Sequence, residues 1–507
     1  MFDAAVLVRP LPEGSFYALL AEHGHRIVRD EDFAACYSAG MGRPSIAPSL
    51  LAKVLLLQHR TGLSDEGAMQ AVAWDLRWKI ALGLSVDHDG WHPTSLTKFR
   101  ARLLLHGKEG LALESTLRLA EEIGLLAGTV EQIIDSTPML GAAATQDTVR
   151  LVRHGVKKML DAIAAVDQGA AQRLDDGLEF DYAQPNDKPD CRWREKAERE
   201  RMLTRVAQDA ERALRAVEQA EGLLDDERVA DAHRLLRDLV GQDFDIDDDG
   251  VPTLHRGTAS DRIISTVDTE MRHGRKSQHQ RFDGYKLSAS VTNTREPLIT
   301  AIAVAPASEQ DGPQAAPLID NLPEHRRPQR VLGDTAYGTG PVRAQLAERD
   351  IEVLAPVPPG AAMEGRVAKR DFHIDLDAGT VTCPAGQVAQ IRTEPSGQRR
   401  AHFSKHVCGG CPLRDRCITK RGDRTVLLAP DEELLIAARH ALEDPDTAEH
   451  LRRTRPRIER LLSLLAHRYG ARKSRYIGSA KARLQAAWAA ALVNLNPIAR
   501  HLATQTT

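Results

Sequence analysis

The strongest constraint on this chain is a strand pattern that begins, stops and resumes far downstream. Val130 to Asp135 (VEQIID) is a short β-prone run followed by Ser136, Thr137 and Pro138, and the proline is expected to end a central strand. Strand periodicity returns only at Gly284 to Thr292, where Tyr285, Leu287, Ala289 and Val291 alternate with Lys286, Ser288, Ser290 and Thr292. Leu298 to Ala305 and Arg330 to Asp334 supply two more strands, with a short helix from Asp311 to Leu322 between them. Gly338 and Pro341 open a helix to about Glu348, and Ile351 to Val357 adds a further strand. The order β, insertion, β, β, α, β, α, β specifies a mixed sheet with helices, an α/β fold.

The interruption reads as helical. From about Arg194 to Val240, Leu203, Val206, Ala210, Leu214 and Val217, then Val229, Ala232, Leu236 and Leu239, recur at three- or four-residue spacing, as in an antiparallel hairpin. Asp243, Asp245, Asp247, Asp248 and Asp249 follow without a base and read as an exposed linker that phosphate would be repelled from. That stretch opens like a calcium loop, but Arg256 stands where a bidentate glutamate is required. Near the N-terminus, residues 44–107 form a helical unit. Pro44 and Pro48 flank its start, Leu50, Leu51, Val54, Leu55 and Leu57 make an apolar face, and Ser64-Asp65-Glu66 caps a helix carrying Met69, Val72 and Trp74. Thr94 to Leu105 is another helix, with Lys98, Arg100 and Arg102 beside its apolar positions. Such helices suit a DNA-contacting helix-turn-helix and a dimerisation or packing role equally.

Charge narrows the partner. The chain is nearly neutral overall, with 68 Lys and Arg against 71 Asp and Glu over 507 residues. Yet Leu451 to Arg483 holds eleven bases and one acid, Glu459, a local charge of +10 that suits a polyanion. No apolar window reaches the roughly 18 residues of a membrane span. Six cysteines are too few for a secreted disulfide scaffold, and Arg9, Pro10 and Pro12 break the opening apolar stretch before a signal peptide forms, so a reducing cytoplasm is expected. No phosphate-binding G-x-x-x-x-G-K-[ST] loop occurs.

Two strands end in an acid, Asp135 in IIDSTP and Asp334 in VLGDTAYG. Carboxylates at strand ends suit hard divalent ions, and a two-metal site can activate water or a 3′-hydroxyl for in-line phosphoryl transfer. The ordinary alternative is an aspartate that caps its own turn. Glu459, embedded among Arg455, Arg457 and Arg460, adds a third acid, unless it serves only an intrahelical pair with Arg455. Asp268 competes for the place of first acid, with Asp135 preferred for its apolar lead-in. Arg272, Arg275, Lys276 and Lys286 are candidate phosphate contacts. Cys383, Cys408, Cys411 and Cys417, spaced C-x24-C-x2-C-x5-C, read as a structural Zn²⁺ site that stabilises an insertion too polar to fold well alone. His402 and His406 are alternative ligands there.

Several ordered strings together resemble the insertion-sequence DDE transposases with an InsH-like N-terminal domain and a cysteine-bearing insertion. They are GRPSIAPSLLAKVLLLQ, GLSDEGAMQAVAWDLRWKIALGL, IIDSTPM, STVDTEMRHGRKSQHQRFDGYKLSASV, VLGDTAYGT, CGGCPLRDRC and RPRIERLLSLLAHRYGARKSRYIG. The resemblance implies an RNase H-like catalytic domain in which Asp135, Asp334 and Glu459 bind two Mg²⁺ or Mn²⁺ ions. It also implies cleavage at transposon ends, strand transfer into target DNA, at least two protomers on DNA, and a bacterial nucleoid location. Arg455 matches the arginine of the family's third motif, whereas Arg452 replaces its tyrosine and Ala466 its lysine, with His467 or Arg468 as substitute phosphate contacts. The DNA contacts expected are Arg272, Arg275, Lys276, Lys286, Arg455, Arg457, Lys98 and Arg100. Alternatives are a nuclease without strand transfer and a non-catalytic, domesticated DNA-binding protein.

The expected organisation is a helical DNA-binding or dimerisation domain over 1–125 and a first catalytic segment over 126–140. A helical insertion with its acidic linker spans 141–265, and the catalytic core 266–357. A zinc-ribbon-like cysteine insertion spans 358–444, and basic helices that complete the catalytic domain 445–507.

Overall fold

The computed structural model describes residues 11–12, 14–37, 45–126, 128, 130–248, 251–277, 279–360, 365–418 and 422–505. Arg9, Pro10, Pro44 and Asp249 of the sequence reading, and the first three residues of GRPSIAPSL, lie outside them.

Among the described residues six α-helices come first: α1 (Phe16–Ile27), α2 (Pro48–Thr61), α3 (Asp65–Trp74), α4 (Leu76–Leu82), α5 (Thr94–Leu105) and α6 (Leu111–Glu122). Pro48 opens α2 at a position where no intrahelical N–H is needed, and the Ser64 hydroxyl caps α3 by accepting the Gly67 N–H at 3.0 Å. Trp74 departs from the expected apolar face, for it is 84% exposed at the end of α3.

Strand β1 (Glu131–Leu140) then enters, and a helical insertion follows: α7 (Thr148–Ala164), α8 (Gln168–Asp176), α9 (Lys196–Gln219) and α10 (Glu227–Asp243). Val152, Val156 and Met159 of α7 bury against Val206 and Ala210 of α9 and Leu236 of α10, so the expected hairpin is completed by a third helix. A small ribbon of β2 (Phe244–Ile246) and β3 (Pro252–Leu254) occupies part of the acidic stretch expected as a linker, with Asp247 accepting the Val251 N–H at 2.7 Å.

The main sheet is mixed and six-stranded. It comprises β1, β4 (Arg272–Arg275), β5 (Arg281–Thr292), β6 (Ile299–Pro306), β7 (Arg330–Leu332) and β8 (Glu352–Leu354), with helices α11 (Ala315–Asp320) and α12 (Gly340–Ala347) between its later strands. β5 pairs antiparallel with β1 on one side and with β4 and β6 on the other, while β1, β7 and β8 run parallel. Pro138 does not end β1 as expected: the strand continues to Leu140 opposite β5, with Pro138 in register with Lys286. The reason is that β7 pairs only as far as Ile133 and that edge of β1 is met again only at Leu140, which bridges to Lys473, so a missing N–H at Pro138 interrupts no ladder there. Gly284 takes φ +142°, and a Cβ there would overlap the Met139 carbonyl and Gly141 amide of β1.

The cysteine-bearing segment is a second, five-stranded sheet in the order β13-β12-β11-β10-β9: β9 (His373–Asp375), β10 (Thr380–Thr382), β11 (Val388–Thr393), β12 (Arg399–Phe403) and β13 (Arg424–Leu427). The short helices α13 (Lys405–Gly409) and α14 (Arg414–Cys417) cross between β12 and β13. The expectation that this stretch is too polar for its own core is corrected, since Phe372, Val381, Ala401, Phe403 and Val426 are buried together with Cys408.

The chain ends in α15 (Glu432–Glu443), α16 (Pro445–Thr454), α17 (Pro456–Ser463), a π-helical turn Leu464–Arg468, and α18 (Ser479–Gln505). Ala486, Trp488, Leu492 and Leu495 of α18 bury in one cluster with Leu55 of α2, Leu117 of α6, and Ile133 and Leu287 of the sheet. The first and last parts of the chain thus share a core. No helix among the described residues is long and apolar enough to cross a membrane.

Candidate acidic cleft

Where β7 stops, the chain turns away from the sheet. Asp334 follows at the N-terminus of a short turn, Thr335–Gly338, and its Oδ1 accepts the Ala336 N–H at 2.8 Å. Gly338 closes the turn against Pro356, whose carbonyl oxygen a Cβ would overlap. Asp135 lies on β1, two residues past the last β7 contact, so its side chain meets the gap the turn leaves rather than a strand end. Its Oδ1 accepts the Ser136 N–H at 2.8 Å. Glu459 comes from α17, which packs against β1. All three acids line one cleft of about 480 Å³.

The cleft is electrostatically uneven. Burial pushes the Asp135 carboxyl up to about 6, and the negative charges of Asp334 and Asp311 push the same way, against the Ser136 N–H and Arg455. Cations stand around the acids: Arg275, Lys276, Lys286 and Arg455 all line the cleft. Arg455 approaches Glu459 at 3.9 Å, and Glu459 is 59% exposed. Among the described residues no three His, Cys, Asp or Glu side chains stand close enough to hold a metal ion together. The donor set nevertheless fits a hard divalent cation, being all carboxylate oxygen around a carboxyl whose ionisation its surroundings oppose.

The expected DNA contacts separate into two groups. Arg275, Lys276, Lys286 and Arg455 reach the cleft. The other four do not line it. Arg100 is turned inward: it is 8% exposed, its guanidinium is bidentate on Asp65, and it lies over the Tyr476 ring. Arg272 donates to Asp261 and to the Thr269 and Met271 carbonyls. Arg457 donates to Asn293 Oδ1 and to the Thr294 carbonyl, tying α17 to the turn after β5. Lys98 is exposed on α5.

Ala466 and His467 both line the cleft, whereas Arg452 pairs with Glu449. Asp268, the rival first acid, is buried outside the cleft and accepts the Tyr285 hydroxyl at 2.7 Å and the Gly478 N–H at 3.3 Å. Sequence reasoning missed Asp311, which lines the cleft from the loop between β6 and α11. The available signal was an acid before Gly312-Pro313 in the loop that follows an apolar strand, five residues past the end of β6.

In the second sheet, burial raises the Cys408 thiol, with Cys417, Cys411 and Cys383 adding to the rise by their proximity. His402 is turned to Thr425, with Nδ1 at 3.2 Å from its hydroxyl.

Residues 7–102 match the family model described as a transposase domain (DUF772), and residues 382–499 match that of a transposase DDE domain. The second match contains Glu459 and Cys383, Cys408, Cys411 and Cys417 but neither Asp135 nor Asp334. No curated protein and no solved structure matches the chain.

Proposed function

The chain belongs to the insertion-sequence DDE transposases, and we propose that it cuts DNA at the ends of its element and joins the resulting 3′-hydroxyls to target DNA. The observation that carries this reading is the convergence of Asp135, Asp334 and Glu459 on one cleft ringed by Arg275, Lys276, Lys286 and Arg455. An RNase H-like catalytic domain is the fold reading that the mixed sheet supports.

Asp135, Asp334 and Glu459 would hold two Mg²⁺ or Mn²⁺ ions. Bound there, such ions supply a water or 3′-hydroxyl nucleophile at neutral pH and charge stabilisation at the leaving oxygen. The chain's own residues do the rest. Arg275 and Lys276 at the β4–β5 turn and Arg455 before α17 draw the phosphate backbone in without reading sequence. The Asp334 carboxylate is fixed by its own turn through the Ala336 N–H, so capping and metal binding use one side chain together. His467, exposed one residue after Ala466, which stands where the family motif has its lysine, is the replacement phosphate contact.

The helices of the first matched segment bind element ends in this reading, and sequestering two ends requires at least two protomers. Zinc on Cys383, Cys408, Cys411 and Cys417 is the reading the spacing of the cysteines supports, while among the described residues no three such ligands stand together to hold a metal, and metal analysis of the purified chain tests it at one zinc per protomer. Ala466 favours one second reading, a DNA-binding descendant that no longer cuts.

Asp334→Ala discriminates. It abolishes cleavage of a duplex carrying the element's end while leaving binding of that duplex intact; equal cutting by both proteins refutes the catalytic assignment, and absence of cutting by either favours the non-catalytic descendant. A pre-cut end joined to plasmid DNA in Mg²⁺ separates a transposase from a nuclease.

A further inference from the structure

We propose that Asp311 is a positioning residue of this cleft, holding the Lys286 ammonium where a phosphate of the cut strand passes. The substrate in this proposal rests on the DNA-cutting reading; the residue rests on its own geometry.

Asp311 Oδ1 accepts the Ser136 hydroxyl at 2.9 Å and faces Lys286 Nζ at 3.1 Å. The same ammonium donates to the Glu309 carbonyl at 2.6 Å. Of its three N–H donors one is committed to that carbonyl, and the charge is paired with the Asp311 carboxylate, which leaves donor capacity for a ligand. The Lys286 side chain is only 14% exposed, which fixes its stem as firmly as its head. Lys286 sits opposite Pro138 on β1, and Ser136 of the same strand joins the Asp311 carboxylate to the backbone that carries Asp135. A run of contacts from Asp135 through Ser136 and Asp311 therefore sets the ammonium relative to the acids.

The pair also has a particular location. Lys286 and Asp311 line both the acidic cleft and a neighbouring cavity of about 580 Å³, so they form a shared wall. On the far side the described lining is otherwise uncharged, with Gln310, Thr335, Thr339 and Gln345 among prolines and small side chains. A DNA strand running from one cavity to the other meets a single cation at the crossing. An aspartate that holds that cation weakens its attraction for bulk phosphate while making its position definite, a trade of affinity for geometry.

The test uses the full chain and two probes: a duplex carrying the element's end for cutting, and a random-sequence duplex for binding across a salt series. Asp311→Asn is expected to lower kcat for cutting about 10- to 100-fold without raising KM, since the reacting geometry is loosened. It is also expected to steepen the dependence of binding on salt by about one phosphate contact, because the freed ammonium then engages DNA fully. Lys286→Ala lowers cutting and makes the salt dependence shallower. Asp311→Asn combined with Lys286→Ala cuts no worse than Lys286→Ala alone, and Asp311→Glu restores part of the rate.

Asp311→Asn cutting at the wild-type rate, or losses that multiply in the double variant, overturns the proposal. Where Asp311→Asn fails to fold, Ser136→Ala removes one of the aspartate's hydrogen bonds without changing charge, and it is expected to lower the same kcat by a smaller factor; an unchanged kcat counts against the proposal. If wild type and Asp334→Ala both fail to cut, the functional reading falls, and the salt series still decides whether Asp311 restrains Lys286: identical slopes in wild type and Asp311→Asn overturn it.

Discussion

Asp268 and Asp135 lie on neighbouring parts of the same sheet system and live in opposite surroundings. The Asp268 carboxylate is 1% exposed and met by donors: both its oxygens take the Tyr285 hydroxyl, at 2.7 and 2.8 Å, and backbone N–H groups of Glu270 and Gly478 approach at 3.3 Å. Asp135 is half-buried, takes one backbone N–H, and has Asp334 and Asp311 as charged neighbours. The first acid is part of the architecture, joining the loop before β4 to the start of α18. The second is held in a place that disfavours its own charge, which a protein tolerates where a cation or a reaction makes use of it.

Breaking the functional member of the pair gives the largest effect. Asp135→Asn is expected to reduce DNA cutting by about a thousandfold or more, several kcal/mol of lost charge stabilisation, in a gel-based cleavage assay. Asp268→Asn, its counterpart, is expected to cost about 3 kcal/mol of stability in urea denaturation, because a carboxylate acceptor of several donors is lost in a buried site. Its cutting rate per folded molecule stays at the wild-type level; a loss there as large as that of Asp135→Asn would erase the distinction.

Titration sharpens the contrast. An acid whose carboxyl is raised in the folded state binds protons more readily folded than unfolded, so the stability it contributes is full below the ordinary carboxylate range and is lost as pH rises toward about 6. The loss amounts to at most about 3 kcal/mol between those limits. Asp135→Asn is therefore expected to flatten that part of the stability profile and to melt higher than wild type at pH 7; an unchanged profile, followed by calorimetry without divalent ions, counts against the crowded-acid account. The smallest expected effect belongs to Arg457, whose bonds to Asn293 and Thr294 are structural. Arg457→Ala should cost about 1 kcal/mol and leave the salt dependence of DNA binding unchanged.

The matched segments show the same division on a larger scale. The stretch containing Glu459 and the cysteines is recognisable by family, while Asp135 and Asp334 lie outside both matches and are joined to Glu459 only by folding.

Local order was legible in the sequence wherever neighbours along the chain decide it. The alternation from Tyr285 to Thr292, the Ser64 cap and the spacing of Val206, Ala210 and Leu214 each specify an element through contacts a few residues long. The three acids could be singled out because an acid closing an apolar β-prone run and a lone carboxylate in a basic segment are visible as strings, although Asp135 proves to lie within β1 and not at its end. Tertiary structure alone decided the rest. That β1 runs on through Pro138 depends on where β7 ends, and that Arg100 and Arg272 are withdrawn from solvent phosphate depends on Asp65 and Asp261. That Asp311 joins the cleft depends on Ser136 and Lys286 from two other strands. Hydrogen-bonding groups and charges act through space over a few ångströms, so a side chain's availability is set by whichever distant segment packs beside it.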